Sequence, residues 1–160
     1  MSTVIDPDTF RAVLGRFASG VTILTARDGS GADQGMTVSA FCSVSLDPPL
    51  VLACVERVAS VHPILAAAEH FAVSVLASGQ EALSRRFAEQ DGNRFDGIGF
   101  RRGRTGAALI DDALAHIECR RVAAHDTGDH TVFIGEVLAA EAHDRRPLLY
   151  YRSGYASLER

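Results

Sequence analysis

Apolar residues along most of this chain fall in short runs, many alternating with polar ones at the two-residue period of a strand. The start is different. Asp6 suits an N-cap and Pro7 the first helical position, where its missing N–H costs nothing. Phe10, Val13, Leu14 and Phe17 follow at helical spacing, which predicts a helix with one buried stripe, ended by Ser19-Gly20.

Strands are then predicted at Gly20–Thr25 and Gly35–Ser39, separated by a turn at Asp28–Gly31. Phe41–Leu46 continues in extended form to a turn enforced by Pro48 and Pro49. Leu50–Val55 reads as a strand buried on both faces, and Phe71–Val75 as another. Ser60 is placed to cap a short helix over Val61–Ala68. Ser78 and Glu81 have capping-box spacing for a helix running to about Gln90. Residues 91–112 carry five glycines and read as an irregular excursion. Beyond them Ala115, Ile117 and Cys119 alternate with His116, Glu118 and Arg120, predicting a half-exposed antiparallel strand. It pairs in a hairpin with Thr131–Ala140 across Thr127-Gly128-Asp129, and terminal strands follow at 148–151 and 155–158. Many short strands, few helices and no βαβ rhythm predict one mostly β domain over 1–160, a closed antiparallel barrel with helices outside.

Charge narrows the chemistry. A net charge of −4 and arginines scattered in pairs leave no basic tract for nucleic acid. All 16 basic residues are arginine, which excludes a Schiff-base lysine and the lysine of a phosphate loop. Cys42, Cys54 and Cys119 form no CxxC pair and read as small core residues of a reducing compartment. The first residues lack a secretory pattern, and the longest apolar run, Pro48–Val55, is too short to cross a bilayer. A cytoplasmic protein is expected.

Few motifs rise above this background. The glycine runs at 29–35 and 97–103 each miss the dinucleotide fingerprint by one residue and lack its strand–helix context. His125, Asp126, Asp129 and His130 are the densest polar set. They suit a solvated turn, a metal-dependent hydrolase or, through Asp126-Thr127-Gly128, a carboxylate dyad whose apolar flanks are missing. Gly35, Thr37 and Ser39 put small polar groups on one strand face, able to meet a polar ring, while Ser60 at a helix start suits an anion.

Several segments occur in a telling order: Phe10-Arg11 to Gly20-Val21-Thr22, Gly35-Met-Thr-Val-Ser-Ala-Phe41, Ser43-Val-Ser-Leu-Asp-Pro-Pro49, Arg86-Phe87-Ala88, Gly128-Asp129-His130 and Pro147-Leu-Leu-Tyr-Tyr151. Together they resemble the flavin reductase family that serves two-component monooxygenases. The resemblance implies a Greek-key split β-barrel, a homodimer, and FMN or FAD reduced by NADH or NADPH for a partner monooxygenase. It implies that Thr37, Val38, Ser39 and Ala40 line the flavin, with Ser45 and the backbone of Cys54 and Val55 extending that wall. Ser60 and Arg86 would approach the phosphate end, with Phe87 nearby. Asp129, His130 and Tyr155 would meet the nicotinamide, with His130 the catalytic candidate and no metal required. Ser74 and Ala107 stand where the family pattern usually has asparagine and proline. A flavin-binding carrier or sensor without reductase activity is the alternative.

Overall fold

The described residues, 4–89 and 92–159 of a computed structural model, form three helices and twelve strands. In chain order these are α1 (Pro7–Leu14), β1 (Ser19–Gly20), β2 (Thr22–Arg27), β3 (Asp33–Val38), β4 (Phe41–Ser45) and β5 (Leu50–Glu56). There follow α2 (His62–Ala67), β6 (His70–Val75), α3 (Glu81–Ala88), β7 (Phe100–Arg102) and β8 (Ala108–Ile110). The long β9 (Ala115–Thr127) and β10 (His130–Ala142) precede β11 (Leu148–Tyr151) and β12 (Gly154–Ser157).

Seven strands make the main sheet in the order β3-β2-β6-β9-β10-β5-β4, with every neighbour antiparallel. Its two edge strands, β3 and β4, are consecutive in sequence and separated only by Ser39 and Ala40. Val38 and Phe41 are thus within about 11 Å of each other, since extended chain advances at most ~3.6 Å per residue. The sheet must therefore curl until its edges meet at this corner. No ladder joins β3 to β4 among the described residues, so the expected closed barrel is not seen and the two edges are linked at this corner by the chain alone.

The concave side is filled by Leu24, Val55, Phe71, Val73, Cys119 and Phe133. A second cluster of Val21, Ile23, Leu76, Phe87, Ile110 and Leu148 lies where α3 and β8 cover the sheet. Among the described residues no helix is long and apolar enough to cross a membrane.

Several expectations change. Asp6 does cap α1, accepting from the Thr9 N–H at 2.9 Å, and Pro7 opens the helix. The helix ends at Gly15 instead of Ser19-Gly20, and its apolar stripe is not buried, with Phe17 82% exposed. The pattern announced a face to be covered, and this single chain does not cover it. Neither of the other predicted caps forms: α2 starts at His62 after Val61, and α3 follows Gln80, which turns back to the Ala77 N–H. The described part of α3 ends at Ala88, and Gln90 lies outside the described residues. Residues 91–112 are not merely an excursion, because β7 and β8 pair and Ala108–Ile110 is fully buried. Strand β5 alternates between buried and partly buried positions, so only one face is in the core.

Strand β9 departs most. His116 and Glu118, expected to face solvent, are each 5% exposed, because the 99–110 segment folds over them. The Glu118 carboxylate accepts from the Arg104 N–H at 3.1 Å, the Thr105 N–H at 2.8 Å and the Thr105 hydroxyl at 2.9 Å. Burial alone would raise its pKa, yet these donors hold it below the usual carboxylate range. Gly103 leaves room for this cradle, since an added Cβ would sit 2.6 Å from the Glu118 carboxyl carbon. The cysteines also divide: Cys119 is buried, Cys54 partly buried and Cys42 exposed. Burial, with Glu118 beside it, pushes the Cys119 thiol up to about 12, so it is inert.

Candidate active site

As an edge strand with β2 on one side, β3 presents backbone groups to its open edge. Its odd-numbered residues share one face, and α3 lies across the middle of that face, where the Thr37 hydroxyl donates to the Ser84 carbonyl at 2.6 Å. The crossing leaves a cavity on each side. One, about 190 Å³, is lined by Val21, Thr37, Ser39, Ala88, Tyr150 and Tyr155. The other, about 390 Å³, is bordered by Gly35, Ser60, Asn93, Arg94 and Phe95 among others.

The first cavity is the more structured. Tyr150 and Tyr155 face each other across the β11–β12 ladder, with ring centroids 5.3 Å apart. The Tyr155 hydroxyl shares a 2.8 Å hydrogen bond with Ser84 Oγ, and the Arg85 guanidinium sits 4.8 Å over its ring. Tyr155 thus closes this side of Thr37 and Ser39 through its bond to Ser84 on α3, a contact the sequence did not announce. At the corner itself the Ala40 carbonyl accepts from the Cys54 N–H at 2.9 Å, and the Ser39 carbonyl from the Phe41 N–H at 2.9 Å. Among the described residues no acceptor is found for the Ser39 and Ala40 N–H groups. Both residues are exposed. Two free donors beside an aromatic groove suit the polar edge of a flat heteroaromatic ring.

Several other expected residues line neither cavity. Val38 and Val55 have core side chains, and the Val38 carbonyl is taken by the Thr22 hydroxyl at 2.6 Å. Ser45 and Cys54 are partly buried, on the paired strands β4 and β5, and burial raises the Cys54 thiol pKa, with Cys42 adding to the effect. Phe87 is fully buried and meets Phe95 edge-on at 5.0 Å. These two rings explain Gly35: a Cβ there would lie 3.1 Å from Phe87, 3.2 Å from Phe95 and 3.2 Å from the Leu24 carbonyl. Gly35 makes room for protein rings, not for a ligand's approach.

Ser60 borders the larger cavity without capping a helix. Arg86 is spent on the 93–96 loop, donating to the Asn93 carbonyl at 3.2 Å and to the Asp96 carbonyl. Arg94, which the sequence reading passed over, lines that cavity instead. Its guanidinium donates to the Gly35 carbonyl at 2.6 Å and to the Glu89 carbonyl. Only its place in a glycine-rich stretch, read as irregular, hid it.

His130 lines neither cavity. It opens β10 opposite Glu56, and its Nδ1 lies 2.7 Å from Asp129 Oδ1. A carboxylate can only accept, so Nδ1–H donates and Nε2 is left for a ligand. The His130 hydrogen bond and charge hold the Asp129 carboxyl below its ordinary range. The hairpin is tied down by residues the sequence did not flag. The Arg57 N–H donates to the Asp129 carbonyl at 2.8 Å, and the Thr131 hydroxyl to Asp126 at 2.9 Å. His62 Nε2 completes the chain at 2.7 Å from Thr131 Oγ1. Ser74, one of the departures from the family pattern, is buried and accepts from the Ile110 N–H at 3.1 Å. That position serves β8.

A curled antiparallel sheet with grooves along one edge strand, and no dinucleotide-binding βαβ unit among the described residues, defines a small β-class ligand-binding protein. Residues 14–159 match the family described as "Flavin reductase like domain", and the chain belongs to that family. It is 45% identical over 152 residues to FMN reductase (NADH) SmoA of Agrobacterium fabrum (strain C58), covering 95% of this chain and 86% of that one. It is 39% identical to the reductase subunit HsaB of a flavin-dependent monooxygenase from Rhodococcus jostii (strain RHA1), covering 97% and 80%. Among solved structures, Streptomyces globisporus C-1027 NADH:FAD oxidoreductase SgcE6, in complex with NAD and FAD fragments, superposes with a TM-score of 0.89. Its identity is 40%, with 97% of this chain and 96% of that one covered.

Proposed function

We propose that this protein is an NADH-dependent flavin reductase that supplies reduced flavin, FMN or FAD, to a partner monooxygenase. The observation that carries the reading is the Ser39–Ala40 corner: two free N–H donors beside a groove walled by Tyr150 and Tyr155. The residues present fit a flavin's flat ring, with aromatic walls and hydroxyls beside the two N–H donors. Family membership and the names of the relatives support the same assignment.

A bound flavin supplies the ring that accepts a hydride from the nicotinamide. The chain's own task is to bind and orient. Thr37, Ser39 and the Ala40 N–H would fix the ring's polar edge, and Tyr155, held by Ser84, would limit water on one side. Asp129 sets the His130 tautomer, so that Nε2 can accept from the nicotinamide's carboxamide N–H. No side chain has to serve as a nucleophile.

The reading also takes the curled sheet as a split β-barrel, supported by the two-residue join of its edge strands. It takes the chain as a homodimer, supported by the apolar α1 stripe. It places the protein in the cytoplasm, in keeping with three free cysteines.

The test is anaerobic mixing of protein, flavin and NADH, followed by the flavin's visible absorbance. Bleaching is expected; its absence with flavin bound would mark a carrier or sensor. His130→Ala should lower kcat/KM for NADH roughly tenfold, the worth of one hydrogen bond to a polar ligand group. Unchanged kcat and KM would remove His130 from the site.

A further inference from the structure

His116, Glu141 and His143 lie together at the far end of the β9–β10 ladder. His116 and Glu141 are directly opposite in the register, and His143 follows Glu141 by two residues, so all three share one face. One ligand-type atom from each lies within 4.8 Å of the others. His116 Nδ1 is 3.2 Å from Glu141 Oε1, and His143 Nε2 is 3.7 Å from the same oxygen. Ligand atoms about 2.0–2.1 Å from a tetrahedral ion stand roughly 3.3 Å apart, so these separations match an ion's coordination edges.

The tautomer argument is stronger. His116 Nε2 lies 2.6 Å from the Ile110 carbonyl, which can only accept, so Nε2 carries a proton. In a neutral ring Nδ1 is then a bare lone pair, aimed at a carboxylate oxygen. Two acceptors at that distance repel unless a positive charge stands between them. Arg101 contacts the same Glu141 Oε1 and neutralises the carboxylate, but makes no bond to the imidazole Nδ1. A ring N–H bonded to a backbone carbonyl, with the other nitrogen presented to the open side, is the usual support of a metal-binding histidine.

The geometry points to a binding site for a divalent transition metal of the zinc class, held by His116 Nδ1, Glu141 Oε1 and His143 Nε2. Two imidazoles and one carboxylate are borderline ligands that suit zinc rather than calcium or magnesium. An ion here would pin the end of the long hairpin. The adjoining cavity, about 110 Å³, shares no lining residue with either groove beside β3. The site is therefore independent of the proposed flavin chemistry.

The test uses the full chain carrying Cys42→Ser, because that exposed thiol could also bind metal. After dialysis against a chelator, Zn(II) alone is titrated by calorimetry, and Co(II) by its visible spectrum. One ion per chain is expected, with cobalt showing the strong absorption of tetrahedral coordination. His143→Ala and Glu141→Gln change half-exposed side chains and should leave the circular dichroism intact. Each should weaken binding at least about tenfold. Arg101→Ala should tighten it by freeing the carboxylate. No stoichiometric binding by the parent, or binding unchanged by either ligand substitution, overturns the site.

Discussion

Gly135 shows how a single absent methyl group shapes the middle of the sheet. It sits at an irregularity in the β9–β10 register, and a Cβ there would lie 2.5 Å from the Phe71 ring and 2.8 Å from Cys119 Cβ. Both neighbours are fully buried, so neither can give way. Gly135→Ala would gain up to ~1 kcal/mol from a stiffer unfolded chain. Overpacking at such a distance costs about 1–3 kcal/mol, so the net effect is destabilising. Thermal unfolding should show a Tm lower by several degrees; an unchanged or raised Tm would mean the core yields there. Nothing local marked this glycine in the sequence. The same holds for Gly35, read with Thr37 and Ser39 as part of a face for a polar ring, where Phe87 and Phe95 take the space a side chain would need. By contrast Thr37 and Ser39 were legible, since period-two alternation alone puts them on one face. His116 and Glu118 were misassigned for a related reason: alternation tells which residues share a face, not which later segment will cover it.

The clearest conflict between pattern and packing is α1. Its cap and its first turn form as the sequence dictates, yet none of its residues is buried. A helix of eight residues is marginal alone in water, where even good sequences need about 12–15 residues. Phe10, Val13, Leu14 and Phe17 are all at least half exposed, and a stripe of four such side chains at helical spacing suits an interface. A second copy of the chain is the occupant the family reading supplies. Sedimentation of the wild-type protein at micromolar concentration should therefore give a dimer mass. Phe17→Glu, which puts a charge into the apolar patch, should shift it towards monomer. A monomeric wild type would leave the stripe unexplained and remove the homodimer. Strands were legible almost throughout because alternation is local. Short β7 and β8 were not, because β8 is covered by Ala72 and α3, far away in sequence, and β7 is held by pairing with it.

At the scale of the whole molecule, what matters is that the proposed site sits at the seam of the sheet and not inside it. The corner at Ser39–Ala40 is where the two edge strands meet, and both flanking cavities open along an edge strand. No segment among the described residues is folded over them as a lid. Affinity in such a groove comes from a few hydrogen bonds and aromatic contacts, and release needs no unfolding step. A reductase that must pass its product to another protein needs this behaviour, since a deeply enclosed flavin would leave too slowly. Purified protein is accordingly expected to be colourless or only partly yellow, and to gain activity in proportion to added FMN or FAD. Equilibrium dialysis measures the exchange directly, and crossing both flavins with NADH and NADPH in steady state gives the preference. Flavin retained one-to-one through extensive dialysis would mean that partner contacts close the seam in the assembled protein, and that electrons leave by another route than a diffusing ring.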